Sequence, residues 1–330
     1  MEATQVVIVG AGPVGLALAL DLAQRGVASV VLERAPAEAQ TLPAKAGTLN
    51  ERSLELCRRW GIAEEVRGWG CPADYPRDNV YLTSLVGGHL IGRSEVPSAA
   101  ERAETPASPE VLRKCPQFIF DPILERAALA TGLVQVRREC TVTDFEDDGA
   151  RVAVRYTTTG GGERGIEGHY LVGCDGAGSM VRRRLGIAFE GSTLDYSLTV
   201  IVDIEHLEDY HPHGRAERFL FMGPDGVWCN ATSMDYARNW RFTLLGFTEE
   251  PNLSDDQAEA QVMRAMGTHE IPYKLLGVAP WRRSQCAANS FGMGRVLLAG
   301  DAAHTTSPTG GHGLNTGLGD VSDLGWMLQA

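Results

Sequence analysis

The chain has 330 residues, with apolar, charged and aromatic residues at 44%, 22% and 7%. These are the proportions of an ordinary soluble globular protein, large enough for a full core and more than one domain. Its formal net charge of -12 argues against nucleic acid or an anionic membrane surface as a partner, because both need clustered Lys and Arg. Seven scattered cysteines without a C-x-x-C pair read as reduced thiols of a cytoplasmic protein and not as disulfides or a metal site. The apolar N-terminus is broken by glycines and Pro13 and lacks a basic leader, so it does not read as a signal peptide. No other apolar run reaches the length of a membrane span.

The first residues organise the rest. Val6–Val9 is β-branched and apolar, as a buried parallel strand requires. It runs into Gly10-Ala-Gly12-Pro13-Val14-Gly15 and then into Leu16–Gln24, whose Ala and Leu predict a helix. Strand, glycine turn and helix are the context in which G-x-G-x-x-G signals a dinucleotide site. Gly10 permits the tight turn, Gly12 lets backbone approach a pyrophosphate, and Gly15 lets the helix pack on the strand. The helix N-terminus then offers free N–H groups and a positive dipole end to phosphates. The run Val27–Leu32 ends at Glu33, followed by Arg34, about twenty residues past the glycines, where a carboxylate would accept hydrogen bonds from a ribose diol. A glycine turn in some other α/β fold is the competing reading, and the acid in its expected place disfavours it.

Next, Asn50–Ser53 predicts a helix start and Leu54–Trp60 an amphipathic helix stopped by Gly61. Val80–Leu82 and Val86–Ile91 alternate around Gly87-Gly88 as a hairpin, and Ser94–Pro109 reads as a surface loop. Gln117–Ala130 predicts a helix with Asp121 and Pro122 at its cap and first turn. Four short strands follow, Val134–Arg138, Thr141–Glu146, Arg151–Thr157 and Glu167–Val172, read as a β-meander. Tyr170–Cys174 is a second buried strand, ending in Asp175-Gly-Ala-Gly178-Ser179 before a helix over Met180–Leu185. Leu198–Ile204, Arg218–Met222, Val227–Ala231 and Trp240–Thr248 read as strands, and Ser254–Met266 as a helix with an acidic first turn and a Gly267 stop. Gly294–Ala299 is a third buried strand leading into Gly300-Asp301-Ala-Ala-His304, and then through Pro308, Gly311, Gly313, Leu314 and Asn315 into a last helix.

Alone, an Asp-Gly turn such as Asp175-Gly176 is ordinary turn chemistry. The segment from Gly300 to Gly317 says more, since it sets a carboxylate and a glycine turn at a helix start. That pairing suits a polyol and an electron-accepting ring. Together the motifs GAGPVG with Glu33, DGAGSMVR and GDAAHTTSPTGGHGLNTGLGD resemble the single-component FAD-dependent aromatic hydroxylases, the para-hydroxybenzoate and phenol hydroxylase superfamily. The resemblance covers nearly the whole chain in order and spacing. It implies an α/β fold: a doubly wound, GR2-type Rossmann-like FAD domain over 1–74, 105–185 and 281–330, with a mainly antiparallel β substrate domain inserted over 75–104 and 186–280. It also implies that family members run on beyond Ala330, with more of the substrate cavity and of the contacts of a homodimer.

By that resemblance Gly10, Gly12, Pro13, Val14 and Gly15 hold the FAD pyrophosphate, and Glu33 with Arg34 the adenosine side. Asp301 holds the ribityl chain, with Gln117 beside it. Gly311, Gly313, Leu314 and Asn315 bind the isoalloxazine edge. Lys45 stands where the family usually has an arginine, and loses its bidentate fork. Asp175 serves both FAD and the nicotinamide donor, NADH or NADPH, which Arg182 and Arg183 would orient; a solvated helix face is the other reading of these arginines. The backbone carbonyl of Pro308 faces the oxygen-transfer site. The implied reaction hydroxylates a phenolic small molecule with NAD(P)H and O2 through a C4a-hydroperoxyflavin, and needs no protein nucleophile. A flavin-dependent epoxidase and a flavin-binding fragment without turnover are the alternatives. His206, Tyr210, His211, His213, Trp228, Asn230 and Tyr236 are candidate substrate contacts from the antiparallel sheet, though surface or core packing is the simpler reading of each, since no spacing ties them together. The His211-Pro-His213 pair lacks a third metal ligand.

Overall fold

The first buried strand becomes the middle of a sheet. The computed structural model describes residues 2–37, 47–102, 106–307 and 310–329. The chain divides into two units, one of Met1–Trp69, Gln117–Ser192 and Ser284–Ala330, the other of Gly70–Pro116 and Thr193–Arg283. The architecture is the expected α/β fold with a mainly antiparallel sheet inserted. Among the described residues no helix is long and apolar enough to cross a membrane.

In the first unit Glu2–Val9 is flanked on one side by Ser29–Leu32 and then Val134–Arg137, and on the other by Glu163–Gly173 and then Val296–Leu298, all parallel. The strand order therefore reverses direction at Glu2–Val9. The crevice beyond the C-terminal ends of strands flanking such a reversal is where open α/β sheets hold ligands. Gly10 leaves one of those strand ends and Cys174 the other, and the Cys174 N–H donates to the Val9 carbonyl at 2.8 Å.

The helix Pro13–Gln24 is apolar nearly all round, and Gly15 through Ala23 are buried. It packs between the helices Gln117–Ala130 and His312–Met327. Burial of Leu16, Leu18, Leu20 and Leu22 contributes about 1.5–3 kcal/mol each. Its acid, Asp21, is 1% exposed and accepts hydrogen bonds from Arg25 (2.7 Å), Trp60 Nε1 (2.8 Å) and Arg59. An added Cβ at Gly325 would lie 1.9 Å from the Asp21 carboxylate, so the last helix can reach this network only with a glycine there.

Three details depart from the sequence expectation. Val134–Arg137 joins the parallel sheet through Ser29–Leu32, leaving a meander of Cys140–Asp147, Val152–Thr158 and Glu163–Gly173. The last of these is one continuous strand, antiparallel to its predecessor at one end and parallel to Glu2–Val9 at the other. The helix over Gln117–Ala130 starts ahead of Asp121, so Pro122 lies inside it.

The second unit is a sheet ordered Leu90–Ser94, Asn79–Leu82, Arg218–Gly223, Gly226–Ser233, Asn239–Phe247 and Phe189–Asp203, with Lys274–Ala288 beyond. One face is apolar: Val80, Leu82, Phe219, Phe221, Ala231, Phe242 and Val200 form a core with Ala258, Val262, Ala265 and Met266 of the helix Asp255–Met266. That helix opens on a reciprocal capping box between Ser254 and Gln257 and closes on Gly267 at φ 77°. The strand Lys274–Ala288 is absent from the sequence reading, because Pro280 and the exposed Trp281 break its alternation; such a strand belongs at a sheet edge. Residues 106–116, which the sequence boundaries give to the nucleotide domain, lie in this unit. Lys114 holds them there through its 2.8 Å bond to Glu217.

Candidate active site

Glycines make this site by what they lack. Gly10 has φ 104°, and a Cβ there would sit 2.5 Å from the Cys174 carbonyl oxygen. A Cβ on Gly15 would sit 2.0 Å from the Gly10 carbonyl oxygen. Both glycines serve the protein's own backbone packing. Gly12 differs: among the described residues a Cβ there would meet nothing within 4 Å, although its φ of -75° suits any residue. It caps the helix Pro13–Gln24 without a side-chain hydrogen bond, with Pro13 in the first turn. That open space beside uncapped N–H groups is where a phosphate oxygen fits.

The distant glycine segment arrives at the same place. The Val14 side chain is so close to Gly300 and Gly317 that a Cβ on either would fall 2.9 or 2.6 Å from Val14 Cγ2. The first turn, the Gly300–Ala302 turn and the helix His312–Met327 thus share one wedge. Gly311 begins that helix in the left-handed region at φ 70°, again without a side-chain cap. Gly313 lies between the Thr306 hydroxyl and the Asp301 carboxylate, since an added Cβ would be 3.4 Å from Oγ1 and 4.0 Å from Oδ1. Asp301 is exposed. Thr306 Oγ1 is shut off from solvent and has no hydrogen-bond partner among the described residues.

One acid of each of the three motifs, Glu33, Asp175 and Asp320, is fixed by backbone. Glu33 accepts from the Ala11 N–H at 2.7 Å and the Ala35 N–H at 2.8 Å, one oxygen each, so lone pairs remain for a diol. Asp175 Oδ2 accepts from the Met180 and Val181 N–H groups at 2.6 and 3.1 Å, while Oδ1 is enclosed without a partner among the described residues. Asp320 takes the Gly300 N–H at 2.7 Å and His304 Nε2 at 2.8 Å. The bond to Asp320 raises the His304 pKa against its burial, and the charges of Asp320 and Asp301 add to the rise. Burial pushes the Cys174 thiol up, so this cysteine beside Gly15 is packing, not a nucleophile.

Other expected site residues have acquired internal partners. Asn315 accepts from the Asn50 N–H (2.9 Å) and Ser53 Oγ (2.7 Å), and donates to the carbonyls of Thr48 (3.0 Å) and Gly311 (2.7 Å). Its side chain is a latch, and only its backbone is left for a ring edge. Leu314 is buried behind it at 8% exposure. Gln117 is buried and donates to Asp121 at 2.9 Å. Arg182, 5% exposed, donates to the Ala302 and Ala177 carbonyls at 2.8 Å and stacks 3.8 Å over Phe189. It bolts the Asp175 turn to the Gly300 turn, whereas Arg183 and Arg34 are exposed. Lys45 and Pro308 lie outside the described residues.

Of the residues singled out in the second unit, His211 is buried, its ring stacked 5.4 Å from His213, and burial with the His213 charge lowers its pKa to about 4. His213 Nε2 is 3.0 Å from the Leu85 carbonyl. Trp228 lies under the Arg264 guanidinium at 4.0 Å, and Tyr236 packs 4.4 Å from Tyr75. His206 is a left-handed residue at φ 49° ahead of Leu207–Tyr210. Asn230 alone of the group stands on the sheet face opposite the core, bonded to Thr232. Sequence reasoning missed Thr306, whose enclosed hydroxyl no spacing signals, and the latch role of Asn315. It also missed Glu217, which is 6% exposed and held by Arg77 and Lys114 at 2.8 Å each.

Known proteins resemble this chain over nearly its whole length. The profile of the FAD binding domain family matches residues 3–330. The chain is 30% identical over 347 residues to the FAD-dependent monooxygenase apdD of Emericella nidulans, covering 98% of this chain and 55% of that protein. It is 30% identical over 335 residues to phenol 2-monooxygenase of a Pseudomonas species, covering 98% and 53%. The rebeccamycin biosynthetic enzyme RebC, solved with reduced flavin, superposes with a TM-score of 0.88 at 34% identity, covering 100% of this chain and 61% of that one. The chain thus spans little more than half the length of these relatives.

Proposed function

The chain belongs to the FAD binding domain family of aromatic hydroxylases and monooxygenases, and from that premise we propose that it hydroxylates a phenolic ring, with NADH or NADPH as reductant and O2 as oxygen donor. One observation carries the reading most: Val14 ties the opening glycine turn to Gly300 and Gly317, so motifs some three hundred residues apart border one crevice. Similarity to phenol 2-monooxygenase supports the ring class.

The residues fit FAD. Gly12 and the uncapped N–H groups after it would hold the pyrophosphate, and Glu33 the adenosine ribose. Asp301 would accept hydrogen bonds from the ribityl hydroxyls, with Thr306 Oγ1 as an enclosed partner for the same chain of hydroxyls. The first-turn N–H groups at Gly313 and Leu314 would face the ring edge, where a positive helix end favours negative charge. Hydride acceptance and oxygen transfer to the substrate are the chemistry that FAD supplies when bound. The protein's work is to orient the ring, exclude water and ease loss of the phenol proton. Arg183, exposed beside the Asp175 turn, would meet the nicotinamide donor, and the antiparallel unit would carry the substrate.

Purified protein should be yellow, and phenols should accelerate its NAD(P)H oxidation with one atom of labelled O2 in the product. Colourless protein without FAD affinity would overturn the whole reading; yellow protein with no phenol-stimulated turnover would overturn the hydroxylase part. Asp301→Ala should weaken FAD binding by about tenfold or more, the scale of a lost charge-assisted hydrogen bond, and unchanged affinity would refute that assignment.

A further inference from the structure

The turn that carries Asp301 is held from several sides, and one of its holds can change charge. Asp320 Oδ2, on the helix His312–Met327, accepts from the Gly300 N–H at 2.7 Å. Arg182 donates to the Ala302 carbonyl at 2.8 Å, and the Ala288 N–H to the Ala303 carbonyl at 2.7 Å. The same Asp320 oxygen also takes His304 Nε2 at 2.8 Å. An ionised carboxylate only accepts, so Nε2 carries a proton and Nδ1 is the place for a second one. Nδ1 is enclosed and has no hydrogen-bond partner among the described residues. His304 thus fastens its turn to the helix that opens at Gly311 without a side-chain cap.

The charges that face this imidazole are negative. Asp320 meets it from the last helix and Asp301 from its own turn, and both favour the charged ring against its burial. The strand Lys274–Ala288 sets Ala287 opposite His304, and Phe291 lies 6.1 Å away between ring centroids; neither carries charge. Arg182, which bolts the same turn, keeps a charge that does not change near neutral pH. A pyrophosphate would add negative charge to a crevice that Glu33, Asp175, Asp301 and Asp320 already border. His304 is a group there that can gain an offsetting positive charge near neutral pH. The other histidine of this segment, His312, is exposed at the helix start.

We propose that His304 is a positioning residue for FAD, and that binding of the cofactor draws a proton from solvent onto its Nδ1. The charged ring grips Asp320 more firmly than the neutral one. That grip pins Gly300, and with it Asp301, to the last helix. The phosphates of the bound cofactor favour the charged ring in turn. By linkage the two effects are one, since higher affinity for the charged state requires proton uptake on binding. The inference rests on the FAD reading and not on the hydroxylase part of it. A histidine raised in the folded state is charged below its folded value. FAD should therefore bind more tightly on the acid side, and less tightly as pH climbs past the ordinary histidine value of about 6.5.

The test titrates FAD into the FAD-free protein across that range. Affinity is read from flavin fluorescence, and proton uptake from calorimetry in two buffers of different ionisation enthalpy; neither needs turnover. Wild-type affinity should fall by about three- to fivefold as pH rises, the scale of a partly exposed charge pair. About 0.3–0.4 proton should be taken up per FAD near the midpoint, as linkage requires of such a change. His304→Gln keeps a donor for Asp320 but cannot gain the charge, so it should hold the weaker affinity at every pH and take up no proton. Asp320→Asn should flatten the profile too, whereas His312→Gln should keep the wild-type slope. A uniform loss of affinity in His304→Gln, with slope and uptake intact, would mark a merely structural histidine and overturn the proposal. Wild-type binding that is independent of pH, or that takes up no proton, would overturn it as well while leaving the FAD reading in place. Failure to bind FAD at any pH would overturn that reading and this inference together.

Discussion

The two units present their functional groups by opposite means. In the first, the crevice at Gly10–Gly15 and Gly300–Gly317 is made by missing side chains and by backbone N–H groups; its charged groups are mostly spent on holding turns. In the second, backbone is consumed by the sheet ladder, and what faces outward from the core is side-chain charge at Arg218 and Arg241. A backbone site tolerates almost no change of shape but asks little of electrostatics. A side-chain site tolerates changes of shape but depends on charge balance, and each region should therefore fail in its own way.

The largest effects should come from the glycines, and should split them. Gly10→Ala and Gly15→Ala place a Cβ 2.5 and 2.0 Å from carbonyl oxygens, and should cost about 4 kcal/mol or more, at the extreme of single substitutions. Gly12→Ala meets open space, so the FAD-free protein should unfold within about 0.5 kcal/mol of wild type while FAD affinity drops sharply. Urea unfolding beside an FAD titration checks both. Equal stability losses at all three positions would erase the distinction between structural and ligand-facing glycines.

Next in size is Glu217→Gln. It takes the Glu217 carboxylate away from the buried Arg77 and Lys114, and should cost about 3–5 kcal/mol, the scale of breaking a buried ion pair from one side. Burial alone would raise the Glu217 carboxyl, but Lys114 and Arg77 override it and hold it at about 2. Because the folded value is depressed, this stabilisation is present above the ordinary carboxylate range and is lost as pH falls toward 2. Wild type should lose its advantage over the variant across that acidic window, and a constant difference in unfolding free energy down to pH 2 would show that the ion pairs are not responsible.

Asn315→Ala should fall below these. It strips partners from the Asn50 N–H, the Ser53 hydroxyl and the carbonyls of Thr48 and Gly311, with a loss of about 2–3 kcal/mol after water and relaxation recover part. The aspartate variant, which cannot donate to the two carbonyls, should not rescue it. Native-state hydrogen exchange at Asn50 and Ser53 would rise if the latch is real, and unchanged protection would remove it.

What the sequence reveals follows the same division. Gly10, Gly12, Gly15 and Glu33 are legible because a turn of this kind needs its residues at fixed local spacing. The capping box at Ser254 and Gln257 and the stop at Gly267 are legible for the same reason. The row of Arg218, Thr232 and Arg241 is invisible, since it exists only once three strands find their register. Asn315 shows an intermediate case: its place at the helix start is readable, but the segment it latches lies 265 residues away. The strand Lys274–Ala288 escapes because its outward residues and Pro280 hide the period of two.

The smallest expected effect probes how far the backbone site leans on charge. Asp320 joins the Gly300 N–H to His304 Nε2, and the His304 pKa is raised above its ordinary value, chiefly by that bond. A raised folded value means that the contribution is complete below the unfolded histidine range, near pH 6.5, and fades as pH climbs through the folded value. The pair is partly exposed, so solvent screening should keep the change to about 1 kcal/mol or less. Asp320→Asn should therefore flatten the pH dependence of the melting temperature above the ordinary histidine value of about 6.5 and leave its value at high pH nearly unchanged. His304→Gln should flatten it equally, while leaving Asp320 to hold Gly300. If both variants keep the wild-type slope, the titration belongs elsewhere and the turn at Gly300 owes nothing to this pair's charge.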